Sequence, residues 1–312
     1  MSFVESPQSD RLPWAALPPT VREGVASVLG SPVVSVVPRV GGFSPGVAAG
    51  VTLADGRRAF VKAVGTPLNP HTPELYRHEV VVQGWLPRVP WTPALLGSWD
   101  DGDWVALAYE YVDAPTVPVP WSASSLAAVA ALVRTMHASL GPAPASAPPV
   151  SQSLEGGDAW RRWASSGPPE GAPEWAVTHL DALAGLEAGF AAASDGAALL
   201  HMDLRHDNLL VRGPDVWVVD WPWAARGAAW VDAVLLAVTV ELYGGPPAPT
   251  VLPACCAEPV PVEALAAVLA ALSGYFVPHG MLPAPPGLPY LRAVQARQGE
   301  ITAAWLDTLR LW

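Results

Sequence analysis

Residues 201–221 read HMDLRHDNLLVRGPDVWVVDW. A polar loop opens the stretch, and two short apolar runs, NLLV and VWVV, follow it on either side of Gly213-Pro214. The loop holds His201, Asp203 and Asn208 in the pattern H-x-D-x-x-x-x-N, and Asp220 ends the second run. Two short strands flanking one loop can hold the oxygens of Asn208 and Asp220 within a single coordination sphere. Phosphoryl transfer asks for this set: a carboxylate to orient or deprotonate an acceptor hydroxyl, hard oxygen ligands for Mg²⁺, and positive charge on the phosphates. Asp203 supplies the first, and Asn208 and Asp220 the second.

The positive charge has a candidate far upstream. The sequence contains sixteen arginines and a single lysine, Lys62, inside RRAFVKAV (57–64). The flanks AFV and AV are those of a buried strand. A compact ammonium on a flexible stem reaches between phosphates where a wider planar guanidinium does not substitute well. A partly buried ammonium needs an anionic neighbour to stay charged. Glu79, in a following helix, is the candidate, since it leads into the apolar run VVV, whereas Glu74 points to another face.

Working outward, residues 33–110 read as strands at 33–40, 47–54, 57–64, 94–99 and 104–110, with Asp55-Gly56 a hairpin turn. One helix carries 74–86, with Thr72 as its N-cap and Pro73 at its first position. From Ser122 the spacing is helical up to Gly141, and further helices are expected at 173–192, 228–243, 261–277 and 291–312. Residues 244–253, GGPPAPTVLP, read as a loop. The loop GGFSPG (41–46) offers backbone N–H groups that can cap phosphate oxygens.

Hydrophobic residues make up 51% and charged residues 14%, so the chain folds around a large core. The net charge of −11 disfavours nucleic acid as a partner. Residues 115–312 carry 17 acids against 9 bases, which suits a cationic ligand. Cys255 and Cys256 are adjacent and form no disulfide framework, so a reducing, cytoplasmic setting is expected. No signal peptide and no membrane span is read from the sequence. The oligomeric state is not readable from it.

In chain order, the loop at 41–46, Lys62, Glu79, His201-x-Asp203-x-x-x-x-Asn208 and Asp220-Trp221 resemble the protein-kinase-like superfamily. Within it they resemble the aminoglycoside phosphotransferase-like, small-molecule kinase branch. The resemblance implies an α+β, two-lobed fold with an antiparallel sheet lobe over residues 1–109, a hinge at 110–120 and a mainly helical lobe over 121–312. It implies ATP and Mg²⁺ as cofactors, with Gly42, Phe43, Ser44, Lys62 and Glu79 at the phosphates, and backbone groups of Glu110 and Val112 at the adenine. Asn208 and Asp220 would hold the metal, Asp203 would be catalytic, and Arg205 would lie near the transferred phosphate. His201 and Asp232 are expected to brace the loop, Asp207 to be a solvated acid, and Trp160 or Trp163 to be core or cleft. The glycine loop lacks a full G-x-G-x-x-G, and the stretch from Asp220 to Asp232 is too short for a peptide-docking segment. The implied activity is phosphate transfer to the hydroxyl of a small molecule, with an aminoglycoside or related cationic antibiotic first. A choline, homoserine or sugar-amine type metabolite comes second, and an inactive nucleotide-binding protein third.

Overall fold

The computed structural model describes residues 11–39, 41–154 and 157–311. The first part of the chain forms α1 (Pro19–Leu29), β1 (Val33–Pro38), β2 (Val47–Leu53), β3 (Arg58–Gly65), α2 (Thr72–Gln83), β4 (Leu95–Asp100) and β5 (Trp104–Glu110). The strands make one antiparallel sheet in the order β1-β2-β3-β5-β4. Strand β3 is therefore central and covered on both faces, and its side chains alternate between them. Ala59, Val61 and Ala63 join the cluster under α1, while Phe60 and Val64 face Tyr76 of α2. Lys62 shares the parity of Phe60 and Val64, so the pleat sends it to the α2 side, where Glu79 lies.

Helix α1 is absent from the sequence reading. Its Val21, Val25 and Leu29 form a stripe at most 4% exposed against the sheet. Burying each contributes about 1.5–3 kcal/mol. Pro18-Pro19 and Gly24 disguise it as loop. Gly24 is a packing requirement, since a Cβ there would lie 2.5 Å from the Trp99 ring. The cap of α2 is also corrected. Thr72 is the first helical residue, and Asn69 Oδ1 accepts from the N–H groups of His71 (2.9 Å) and Thr72 (3.1 Å). The helix stops at Gly84, short of the expected 86.

The second part contains α3 (Ala123–Leu140), α4 (Val150–Ser153), α5 (Ala159–Ser166), α6 (Glu174–Thr178), α7 (Leu180–Ala188) and α8 (Phe190–Ala193). Then come β6 (Ala198–Leu200), β7 (Leu209–Arg212), β8 (Asp215–Val218), β9 (Ala225–Gly227), α9 (Trp230–Leu242), α10 (Ala248–Cys255), α11 (Val262–Gly280) and α12 (Leu291–Thr308). Ser122 Oγ caps α3 by accepting from Ser125 N at 3.1 Å. The single helix expected at 173–192 is three short ones, and the loop expected at 244–253 contains most of α10. Pro249 stands in the first turn of α10, where no N–H is needed. Helices α3 and α11 are long and apolar enough to span a bilayer by composition, but α11 is buried all round, with every residue from Leu265 to Gly274 in the interior. Trp160 is a core residue, fully buried and donating to Ala270 O at 2.8 Å, and Trp163 packs against it.

Candidate active site

A cleft of about 840 Å³ runs between the sheet and the helical part. Its sheet-side wall includes Lys62, Tyr76, Glu79 and the loop 41–46, and its opposite wall includes Asp203, Arg205, Asn208 and Asp220.

The loop at 201–208 is held by buried polar contacts. Asp232, at the start of α9, accepts from the N–H groups of His201 (2.7 Å) and Met202 (2.8 Å). Met202 is thereby kept at φ +67°, a left-handed conformation costly for a side chain of its size. His201 Nδ1 accepts from Asp203 N at 3.1 Å, so Nε2 carries the proton toward Val219 O at 3.0 Å. That imidazole ties the loop to the residue before Asp220. Burial lowers its pKa to about 4, so it stays neutral and acts as a brace. Burial also pushes Asp232 up to about 7 and lowers His137, which lies 3.2 Å from Asp232, to about 4.

Three oxygen-bearing side chains converge on the cleft. Asn208 Nδ2 donates to Asp203 O (2.9 Å) and Oδ2 (3.0 Å), and its Oδ1 has no hydrogen bond among the described residues. Asp220 sits at φ +69° just after β8. Its Oδ1 lies 2.5 Å from Lys62 Nζ. Lys62 also donates to Glu79 Oε2, and Tyr109 Oη donates to Glu79 Oε1 at 2.6 Å. Burial works against the Lys62 charge, but Asp220 and Glu79 outweigh it and raise the pKa above the usual lysine range. Burial would raise Asp220, yet the Lys62 ammonium holds it below the ordinary carboxylate value. Asp203 differs: burial, opposed by Arg205, pushes it up to about 7. A carboxyl poised there can take a proton near neutral pH.

Arg205 lies between Asp203 and Asp207, 3.3 Å from each, and its guanidinium stands 4.6 Å from the centroid of the Phe43 ring. Asp207 is thus no solvated acid, because its side chain is 8% exposed and turned to Arg205. The expected loop residues Gly42, Phe43 and Ser44 all line the cleft. Ser44 Oγ lies 3.1 Å from Tyr76 Oη, and the N–H groups of Gly42 and Phe43 have no hydrogen bond within the described chain. At the other end, Val112 lines the cleft, but the Glu110 N–H is committed to Ala94 O at 3.0 Å. The Glu110 carboxylate bonds Ala94 N (3.0 Å) and Arg88 (3.0 Å), so only its carbonyl is left to meet a ligand.

Two further residues join the site. Tyr76 places its ring 4.7 Å from Lys62 Nζ. It precedes Glu79 by three residues, and helical spacing alone puts the two on one face. Arg11 donates from Nε to Gly41 O at 2.8 Å and from Nη1 to Gly46 O at 3.4 Å. No local pattern marks Arg11, because its partners lie thirty residues away.

Among the described residues, no group of three or more His, Cys, Asp or Glu forms a metal cage. The free Asn208 Oδ1 and the Asp220 carboxylate are nonetheless hard donors, and Mg²⁺ in nucleotide sites takes most of its remaining oxygens from phosphates and water. The donor set fits that ion.

No family model matches the sequence, and no curated protein matches it. Solved structures do match. A choline kinase from Streptococcus pneumoniae is 14% identical, covers 93% of this chain and 98% of its own, and superposes with a TM-score of 0.61. A choline/ethanolamine kinase family protein from Mesorhizobium loti is 16% identical over 94% and 99%, with a TM-score of 0.58. An aminoglycoside-3'-phosphotransferase of type VIII is 18% identical over 83% and 100%, with a TM-score of 0.54. At such identities the likeness speaks of architecture, and with the sheet, the cleft and the helical half described above it establishes that this chain has the two-lobed, protein-kinase-like fold that those small-molecule kinases share.

Proposed function

We propose that the chain is an ATP-dependent O-phosphotransferase that moves the γ-phosphoryl group to a hydroxyl of a small molecule. The observation that carries this reading is the Lys62–Asp220 contact, flanked by Glu79 and by an Asp203 whose pKa stands near 7. In it, residues 1–109 are the lobe that holds the phosphates, 110–120 the hinge and 121–312 the lobe that holds the acceptor. Lys62 contacts the phosphates and Glu79 keeps its ammonium in place. The N–H groups of Gly42 and Phe43, with Ser44, cover the phosphates, and Val112 with the Glu110 carbonyl meets the base. Asn208 and Asp220 would hold Mg²⁺, which neutralises charge on the phosphates. Asp203 takes the proton of the acceptor hydroxyl as its oxygen bonds the γ-phosphorus and the bond to the β–γ bridging oxygen breaks, leaving ADP. Arg205 balances Asp203 and Asp207 beside that point. Positioning and charge supply most of the rate.

The structurally similar proteins act, by name, on choline, ethanolamine or aminoglycosides. A cationic antibiotic is the acceptor that the net charge suggests, and a hydroxylated metabolite is the alternative. The surplus acids give neither one support, because Glu170, Glu174, Asp181, Asp195, Glu258, Glu263 and Glu300 are all exposed on the outer surface. An inactive nucleotide-binding role is not favoured, since every residue the transfer needs is present. Two free thiols, Cys255 and Cys256, support a reducing, cytoplasmic setting. Incubation with Mg·ATP and a panel of aminoglycosides, macrolides and amino alcohols, read by mass spectrometry, tests the reading. Addition of one phosphate to a panel member, with stoichiometric ADP, is the expected result. ATP that is neither bound nor turned over with any acceptor would sink it.

A further inference from the structure

The wall of the cleft beyond Asp203 is built from α9, α11 and α12. Thr239 of α9 donates to Leu204 O at 2.9 Å, which fixes this wall to the residue after Asp203. Its apolar surface includes Leu235, Leu272, Phe276, Leu288 and Val294, each at most 8% exposed. Two glutamines, one turn apart on α12, also line the cleft and are more than nine-tenths buried. Gln295 Oε1 accepts from Arg292 at 2.8 Å, and its amide NH₂ has no hydrogen bond among the described residues. The Gln298 side chain has no hydrogen bond among the described residues. Lining the cleft, that amide can both donate to and accept from a ligand there.

The charges of the cleft lead the same way. Its acids are Glu79, Glu110, Asp203, Asp207 and Asp220. Glu79 and Asp220 meet Lys62, Glu110 meets Arg88, and Asp203 and Asp207 flank Arg205. None comes from α9, α11 or α12, and Arg292 adds a cation to that wall. An ammonium brought here loses its water and finds no uncommitted carboxylate, an exchange that disfavours binding. Amide and hydroxyl groups meet the glutamines at no such cost.

We infer that the acceptor is a hydroxylated molecule with an apolar body and uncharged amide- or hydroxyl-type polar groups, held by Gln295 and Gln298, and not a polycation. This rests on the phosphotransferase reading. The test is thermal shift and calorimetry on the full chain saturated with Mg·AMP-PNP. One arm contains chloramphenicol and N-acyl amino alcohols as neutral probes, and the other kanamycin and choline as cationic ones. Members of the neutral arm are expected to bind, and Gln298→Ala to weaken them about five- to tenfold. Gln298→Leu, which keeps the volume, should give the same loss if the alanine variant folds poorly. Gln298→Glu should weaken the neutral probes likewise. Kanamycin or choline binding as well as or better than the neutral arm overturns the inference, as does nucleotide binding with no neutral probe bound, or neutral binding indifferent to Gln298. Failure of Mg·AMP-PNP itself to bind is a separate outcome, and it removes the phosphotransferase reading on which the inference stands.

Discussion

The ammonium of Lys62, in the middle of β3, lies 2.5 Å from Oδ1 of Asp220, 158 residues further along the chain. This contact joins the sheet half to the helical half inside the cleft. Replacing Lys62 by Arg should break it, because a planar fork does not fit between Glu79 and Asp220. Turnover is expected to fall by about 10²–10³-fold, the scale for losing one preorganised charge contact. Steady-state kinetics of Lys62→Arg check this, and a rate within threefold of the parent, read as about 0.7 kcal/mol or less, would remove Lys62 from its role.

Asp203 and Asp220 should separate under mutation. Asp203→Ala is expected to abolish transfer while nucleotide affinity changes little, since Asp203 is assigned to the acceptor hydroxyl and not to the phosphates. The fall in kcat should be about 10²–10⁴-fold, typical of removing a positioned base. Parallel measurement of ADP release and nucleotide binding separates the two effects.

Asp232 accepts two N–H groups from the loop and is fully buried. Asp232→Asn replaces one accepting oxygen by a donor facing an N–H. A loss of about 1–3 kcal/mol is expected, with a lower melting temperature and a reduced kcat. Met202, held at φ +67°, is the residue that should relax first.

Gly42→Ala should loosen the loop at 41–46, which the proposed function sets over the phosphates. Gly42 has φ +81°, and an added Cβ would lie 2.4 Å from Arg11 Nη2. Strain of about 1–2 kcal/mol and displacement of Arg11 are expected, seen as a raised KM for ATP with kcat less affected. Arg11→Ala should move the same parameter in the same direction. A KM unchanged in both variants would show that Arg11 does not set the loop.

Burial pushes the Cys255 thiol up to about 12, and Cys256 is raised as well. The thiolate fraction grows with pH, so at pH 8 the folded chain should present on the order of a ten-thousandth of Cys255 as thiolate, against roughly a quarter for a free cysteine. Alkylation should be slow in the native state and fast after unfolding. Rapid native labelling of Cys255 at pH 8 would contradict this.

The parts of the site that the sequence displayed are those written in short patterns. Asp203, Asn208 and Asp220 stand in one stretch, and the alternation of RRAFVKAV set Lys62 on the face of Phe60 and Val64. Glu79 followed from the helical face it shares with the apolar run. What stayed hidden depends on distant contacts. Arg11 acquires its place through carbonyls thirty residues on. Gly24 looks like a helix breaker until Trp99 packs on it, and the prolines of α10 look like a loop until the helix is seen to start before Pro249. The acidity of the second half was visible, but not that its exposed carboxylates avoid the cleft. Gln298 has no signature at all, because an amide on α12 becomes notable only where the fold buries it beside a cavity.

Calorimetric titration of AMP-PNP with and without Mg²⁺, on the parent chain and on Lys62→Ala, Asp220→Ala and Asp203→Ala, tests the central claim most directly. Micromolar binding that requires Mg²⁺, lost in the Lys62 and Asp220 variants and kept in the Asp203 variant, is the result this account predicts. Absence of binding to the parent chain, or equal affinity with and without Mg²⁺ in all four proteins, would contradict it.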